Sequence, residues 1–472
     1  MTVLVHWFRR DLRVEDNTAL SRASRDADRV VTVFVLDDHY ADDLRVGPAR
    51  FAFLRDSLED LAESLAKAGG RLVLRQGPAT RALPALLAET GAAGVYANAE
   101  IGPYPERRDR ETAAALEAAG SSLRLFADEL LVAPDALATD AGDPYTVYTP
   151  FSKKWLAVEK AAPASAPSRL ASPELPSVPL SRVRAWRNAP RDPLAPRGGE
   201  REARSGLERF FASAAARYAE DRDRPDRPGT TRLSPHLHFG TISARTIRAA
   251  AETAWAGATA RARASLRKLV LELAWRDFYH HVLFHFPRVA GESFRPEFDR
   301  IPWRSDAAGL DAWRAGRTGF PFVDAGMREL ATTHWMHNRA RMSAASFLTK
   351  DLHAHWKIGE AWFEHELADA DLANNNGGWQ WAAGSGTDAA PYFRIFNSVL
   401  QGKRCDPDGA YTRRFVPELA RVPAAKIHEP WTMTPEEQRS AGCLIGRDYP
   451  GPIVDHAKER EVALSLAREA GR

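Results

Sequence analysis

Cysteine is the scarcest of the informative residues. The 472-residue chain has two, Cys405 and Cys443, too few for a disulfide framework or a thiolate metal site. Apolar runs long enough to span a bilayer are missing, and the opening MTVLVHWFRRDLR turns charged too early for a signal peptide. A reducing cytoplasm is the expected setting, with no membrane partner. Also absent are a Walker loop, a nucleophile elbow and the histidine–glutamate pattern of a metalloprotease helix. His280, His281 and His285 cluster without such a pattern, as do His353 and His355, so no metal is expected. A strong charge of one sign is lacking too: +3 overall is too small to mark a nucleic-acid protein by itself. What remains, at 44% hydrophobic and 27% charged, is an ordinary globular chain long enough for two domains.

Distribution says more than totals. Residues 201–300 hold 18 Lys+Arg against 12 Asp+Glu, and nearly all the cations are Arg. The planar guanidinium suits phosphate, although on charge alone a solvated helical face is the better reading. Ten of the 13 tryptophans follow residue 250, which is either a helical core or a site.

Strand and helix patterns alternate over residues 1–130. Val3–Phe8, Val30–Leu36, Arg71–Leu74, Gly94–Ala97 and Leu123–Phe126 read as buried strands. Phe51–Ala68, Thr80–Glu89 and Glu106–Ala119 carry apolar residues at helical spacing. Such alternation predicts an α/β domain with a doubly wound, parallel five-stranded sheet. The turn after its first strand, Phe-Arg-Arg-Asp-Leu-Arg, has no Gly-rich loop, so a standard dinucleotide site is not expected there. Residues 131–205 are punctuated by proline and predict a long linker over the surface. Residues 206–472 are helical in period and predict a larger all-α domain.

Four polar clusters stand out in that helical part. Gly229-Thr-Thr-Arg-Leu-Ser234 fits an anion site and an ordinary helix cap about equally well. In Glu272-Leu-Ala-Trp-Arg-Asp-Phe-Tyr279, the residues Glu272, Trp275, Arg276 and Tyr279 share one helical face. They could stack on and hydrogen-bond a base, or be a Glu–Arg pair beside core aromatics. In His334–Met342, Asn338 and Met342 share a face while Arg339 and Arg341 point elsewhere. Asp369-Ala-Asp-Leu-Ala-Asn-Asn-Asn-Gly-Gly-Trp-Gln-Trp381 is poor helix and poor core, and is best read as wrapping a polar ligand.

In this order and spacing the clusters resemble the photolyase/cryptochrome family of flavoproteins, most of all its class I cyclobutane pyrimidine dimer photolyases. Trp7–Arg13, Thr387–Asn397, His428-Glu-Pro-Trp431 and Tyr449–His456 continue the likeness from end to end. The resemblance implies a DNA-repair lyase holding FAD in the helical domain. Tyr218 and Thr230, Thr231, Arg232, Leu233 and Ser234 would hold the cofactor's phosphates. Asp369 and Asp371 would meet its ribose and ring end, with Arg341 paired to Asp369. Asn375 would face flavin N5, where plant-type cryptochromes usually carry Asp. For the lesion, the resemblance implies Glu272, Trp275, Asn338, Met342 and Trp381, with Trp275 and Trp381 sandwiching the flipped dimer. Arg222, Arg276, Tyr279, Arg339 and Gln401 would contact DNA. Trp379, Trp356 and Trp303 would form an electron path to the flavin. A light-harvesting antenna is implied at Leu36, Asp37, Tyr104 and Glu106, a deazaflavin rather than methenyltetrahydrofolate.

The activity so implied is electron transfer from light-excited, reduced anionic FAD to a dimer extruded from DNA. No obligatory protein partner is implied, and a monomer is expected. Two rivals are a blue-light photoreceptor without repair activity and a photolyase restricted to single-stranded DNA.

Overall fold

The computed structural model describes residues 1–37, 43, 45–167, 169–185, 192–388 and 395–470. Strands β1 (Val3–Phe8), β2 (Arg29–Leu36), β3 (Leu72–Gln76), β4 (Val95–Asn98) and β5 (Leu123–Phe126) form one parallel sheet in the order β3-β2-β1-β4-β5. Helices α1 (Thr18–Asp26), α2 (Pro48–Lys67), α3 (Ala79–Thr90) and α4 (Pro103–Ala118) cover its faces. Alternate residues of each strand serve opposite faces. Leu4 and Phe8 of β1 pack with Leu58 and Leu61 of α2, whereas Val5 and Trp7 pack with Leu83 and Leu86 of α3. The strands therefore read as continuous apolar runs, and all five lie where the sequence predicts them. Helix α1 was not foreseen. Its nine residues are polar on average although they bury Ala19, Leu20 and Ala23 on one face, and its start is set by Asn17, whose Oδ1 accepts from Leu20 N at 3.0 Å.

The sheet order reverses between β1 and β4, the usual place of a nucleotide crevice. Here side chains fill it. Arg9 reaches Asp109 at 2.7 Å, Arg10 reaches Glu100 at 3.2 Å, and Asn98 donates to Asp11 at 2.7 Å. Only about 20 Å³ remains open. The helical lobe closes over this edge, with Leu12 N donating to Phe239 O at 3.1 Å and Arg13 to Gly240 O at 3.0 Å.

Residues 131–205 do not simply cross the surface. Within them α5 (Tyr148–Ala157) buries Phe151 and Trp155 completely, and the Trp155 indole donates to Asp277 at 2.8 Å. Proline-rich composition around it masked the apolar spacing of Tyr148, Phe151 and Trp155. Farther on the segment follows the sheet, with Val30 N bonded to Ala171 O and Val178 N to Leu74 O.

Beyond it lie α6 (Glu200–Ser213), α7 (Ala244–Ala256), α8 (Ala260–His285), α9 (Pro321–Thr333), α10 (Asn338–Lys350), α11 (Trp356–Glu366), α12 (Leu372–Ala383), α13 (Ser398–Cys405) and α14 (His456–Ala470), with shorter turns between. Helix α12 corrects the expectation that Asp369–Trp381 is poor helix. Asp371 caps it by accepting from Asn374 N at 2.9 Å, and Gly377 lets it approach α8. A Cβ at Gly377 would lie 2.1 Å from the Tyr279 ring. Among the described residues no helix is long and apolar enough to cross a membrane.

Candidate active site

A cavity of about 570 Å³ opens between α8, α10, α12 and the segment running from Tyr218 to His238. Four residues one turn apart on α8, Glu272, Trp275, Arg276 and Tyr279, form one wall. Asn338, Arg339, Arg341 and Met342 come from the first turns of α10, and His337 caps that helix. Asp369, Asp371, Asn375, Trp379 and Trp381 come from α12 and the stretch leading into it. Tyr218, Arg222 and Thr230 to Ser234 complete the lining. Residues scattered between Tyr218 and Asp388 thus meet around one space of ligand size.

Its two chemistries lie on different walls. On one, Thr230 and Thr231 bring hydroxyls and Arg232 brings a guanidinium. Arg232 stands in the left-handed region at φ 52°, with its charge 4.4 Å from the Trp335 ring centre. A non-glycine residue held there is strained, which is common at ligand clamps. The Trp335 indole donates to Ser234 Oγ at 3.2 Å and steadies the turn. On the other wall, Arg341 donates to both oxygens of Asp369, at 3.1 and 2.8 Å. Burial works against ionisation of Asp371, but His280, then His238 and Arg276, hold its carboxyl well below the usual range. The Asn375 amide donates to the Glu360 carbonyl at 3.1 Å, which leaves its oxygen as the acceptor.

These walls suit a nucleotide cofactor such as FAD. Cationic and hydroxyl donors can take phosphate, and two carboxylates can take hydroxyl and N–H groups. Two details support the fit. His238 Nδ1 is buried on the lining with no hydrogen-bond partner, and a Cβ at Gly378 would meet nothing within 4 Å.

Nearer the lesion set, Arg222 donates to the Glu272 carboxylate, and Arg339 to Asp223 at 2.9 Å. Asn338 Nδ2 lies 3.6 Å from Met342 Sδ. The outer face of Trp275 is covered by Tyr148 of α5, centroids 3.5 Å apart and 6° from parallel. Tyr148 and His238 were missed by sequence reasoning, since each acts through residues far away in the chain. Arg276 needs correction as a DNA contact. It is buried and donates to the Glu129 carbonyl at 2.8 Å, because a guanidinium removed from water must find acceptors inside.

Several expected residues lie away from the cavity. Gln401 is half-buried on α13 and is not part of the lining. Trp379 is buried on the wall, beside Phe363 at 4.9 Å and Trp313 at 6.2 Å. Trp356 is fully buried on α11 and donates to Ser293 Oγ at 3.2 Å. The half-buried Trp303 meets it through His355, with ring centres 5.3 and 5.7 Å apart. In the N-terminal lobe Leu36 is buried, Asp37 half-buried, and Tyr104 and Glu106 exposed. Residues 389–394 of the Thr387–Asn397 motif lie outside the described residues.

Comparison with known proteins agrees with this construction. Residues 4–169 match the DNA photolyase family model, and residues 269–469 match the FAD-binding domain of DNA photolyase. The chain is 42% identical to the deoxyribodipyrimidine photo-lyase of Halobacterium salinarum, covering 98% of each. It superposes with TM-score 0.93 on the crystal structure of a class III photolyase from Agrobacterium tumefaciens, at 40% identity over 100% of this chain and 98% of that one. A Synechocystis cryptochrome gives TM-score 0.89 at 31% identity, covering 98% and 99%. The chain belongs to the DNA photolyase family, and its helical lobe is that family's FAD-binding domain.

Proposed function

We propose that this enzyme reverts cyclobutane pyrimidine dimers in DNA under light. One observation carries the reading: the stacking and hydrogen-bonding set Glu272, Trp275, Asn338, Met342 and Trp381 shares a single cavity with the cofactor set Thr230–Ser234, Asp369, Asp371 and Asn375. The name of the Halobacterium relative supports it. The cryptochrome likeness shows that the fold alone does not separate repair from signalling, so the argument rests on the side chains.

FAD bound in reduced form would supply the electron that opens the dimer in light and would take it back afterwards. The protein's part is orientation and exclusion of water. Trp275, backed by Tyr148, and Trp381 offer aromatic faces to an extruded dinucleotide, which costs less to flip than an intact pair. Glu272 and Asn338 take the pyrimidine edges, while Arg222 and Arg339 pair with DNA phosphate in place of Glu272 and Asp223. Asn375, whose amide N–H is engaged by Glu360 O, would offer its oxygen to flavin N5.

An antenna chromophore, read as a deazaflavin, belongs beside Leu36, Asp37, Tyr104 and Glu106. Partial desolvation, and next the nearby Asp37 carboxylate, push the Tyr104 phenol pKa up, as expected where the end of β2 lies near the start of α4. The protein acts as a monomer.

The test is repair of a thymine-dimer oligonucleotide by purified, reduced protein in blue light and in the dark, on duplex and on single strands. Repair in light alone is expected on both. Absence of repair with FAD bound and reduced would sink the assignment in favour of a photoreceptor, and repair of single strands alone would restrict the substrate.

A further inference from the structure

His280 lies on α8 behind the cavity wall and has no part in the mechanism above. It is 1% exposed, and both of its ring nitrogens face acceptors. Nδ1 is 3.0 Å from the Arg276 carbonyl oxygen, while Nε2 is 3.3 Å from Glu129 and 3.4 Å from Asp371. A carbonyl only accepts, and so does an ionised carboxylate, so the ring satisfies its surroundings only as an imidazolium with both nitrogens donating.

The charges around it agree. On its own helix stand Arg276 and Asp277. From the end of β1 comes Arg10, 3.4 Å from Glu129 and 3.9 Å from Asp371. Glu129 follows β5, Asp371 caps α12, and His238 Nδ1 lies 3.9 Å from Asp371. Burial opposes the charge on His280, but Asp371 and then Glu129 outweigh it, with Arg276 against, and the pKa is raised to about 9. Glu129, His280 and Asp371 bring ligand atoms within 4.8 Å of one another, which a metal ion could also use. Two guanidiniums, Arg10 and Arg276, already lie against these carboxylates and disfavour a further divalent cation.

We propose that His280 is a positioning residue which remains an imidazolium through the neutral range and fixes the Asp371 carboxylate on the cavity wall, tying the cofactor seat to Glu129 of the N-terminal lobe. The role toward the cofactor rests on the FAD reading given above; the charge state of His280 does not.

Ring-¹⁵N histidine spectra of the full-length protein test the charge state, with the His280 signal identified by its loss in His280→Gln. Both nitrogens should be protonated at pH 7.5 and titrate only near pH 9, well above the roughly 6.5 of a free imidazole. A bare ring nitrogen at pH 7.5 would overturn the proposal, as would a signal that needs added zinc and reverts with chelator. FAD affinity, read from flavin fluorescence, tests the positioning. His280→Gln should bind about tenfold more weakly, the loss of one charge-assisted hydrogen bond. His280→Arg should restore the affinity and remove a decline that the native protein shows between pH 8 and 10. Native affinity without that decline, or His280→Gln equal to native, refutes positioning, and the decline decides alone if a variant does not fold. A native protein that takes up no FAD at any pH would instead defeat the cofactor reading, while the spectra still decide the charge.

Discussion

Trp379 illustrates how much one side chain can be asked to do. It lines the cavity, it is buried, and its partners Phe363 and Trp313 are apolar, so as a packing residue it is replaceable by another aromatic ring. As an electron carrier it is not. Trp379→Phe should leave repair by pre-reduced enzyme near the native level while abolishing photoreduction of oxidised flavin; normal photoreduction would return the residue to packing alone. Glu272→Ala should keep FAD bound but lower the repair quantum yield several-fold, since it removes the carboxylate proposed to hydrogen-bond the lesion. An undiminished yield would remove Glu272 from the lesion site. These two residues were legible because each sits in a motif whose spacing, or whose polar density, stands out along the chain. Tyr148 and His238 were not. Their roles come from a stacking partner on α8 and a carboxylate on α12, and nothing beside them in sequence announces either.

At the scale of elements, the strands were legible and the asparagine-rich helix was not. Val-rich runs on a sheet covered on both faces have little alternative to strand. Leu372–Ala383 has three consecutive Asn and two Gly, each a poor helix former, yet it is helical because tertiary packing overrides propensity. Its Asn376 side chain donates to Val289 O at 2.9 Å and to Glu360 at 2.8 Å, and Gln380 donates to the Asn376 oxygen at 2.9 Å. Those polar groups are satisfied by neighbours that local reasoning cannot see. The same close packing gives a stability prediction. Gly359 of α11 lies where a Cβ would come 2.0 Å from the Trp379 ring and 2.6 Å from Leu348. Although alanine is the better helix former, Gly359→Ala should destabilise by about 1–3 kcal/mol through overpacking. Urea unfolding would check it, and a midpoint at or above the native one would show that α11 and α12 can move apart freely.

For the whole molecule, the docking of the two lobes is an electrostatic arrangement made of residues that a motif search treats as one short string. Trp7–Arg13 drew notice as part of a family likeness, but its partners lie far along the chain, Glu100 and Asp128 just after β4 and β5 and Asp109 on α4. Across the lobes, Arg245 of α7 meets Asp16 at 2.9 Å and Asp128 at 2.6 Å, and Arg13 meets Asp128 at 2.5 Å, with all four residues buried. Breaking such a set by removing one partner costs more than the set contributes, because the remaining charges stay buried without compensation. Arg245→Met should therefore destabilise by about 3–5 kcal/mol at pH 7. The pH dependence follows from Asp128. Burial opposes its ionisation, but Arg13 and Arg245 outweigh burial and hold the carboxyl far below its ordinary value. Stability from this group is accordingly present above pH ~4 and lost as pH falls below that through the folded value. Without Arg245 the carboxyl rises toward its ordinary range, so the variant should lose less stability than the native protein on going from pH 5 to pH 3. Denaturant midpoints at pH 7, 5 and 3 measure both effects. A cost under about 1 kcal/mol at pH 7 would show that water or a shifted side chain replaces the guanidinium. Parallel acid limbs would move the origin of the acid sensitivity away from the Asp128 set at the lobe interface.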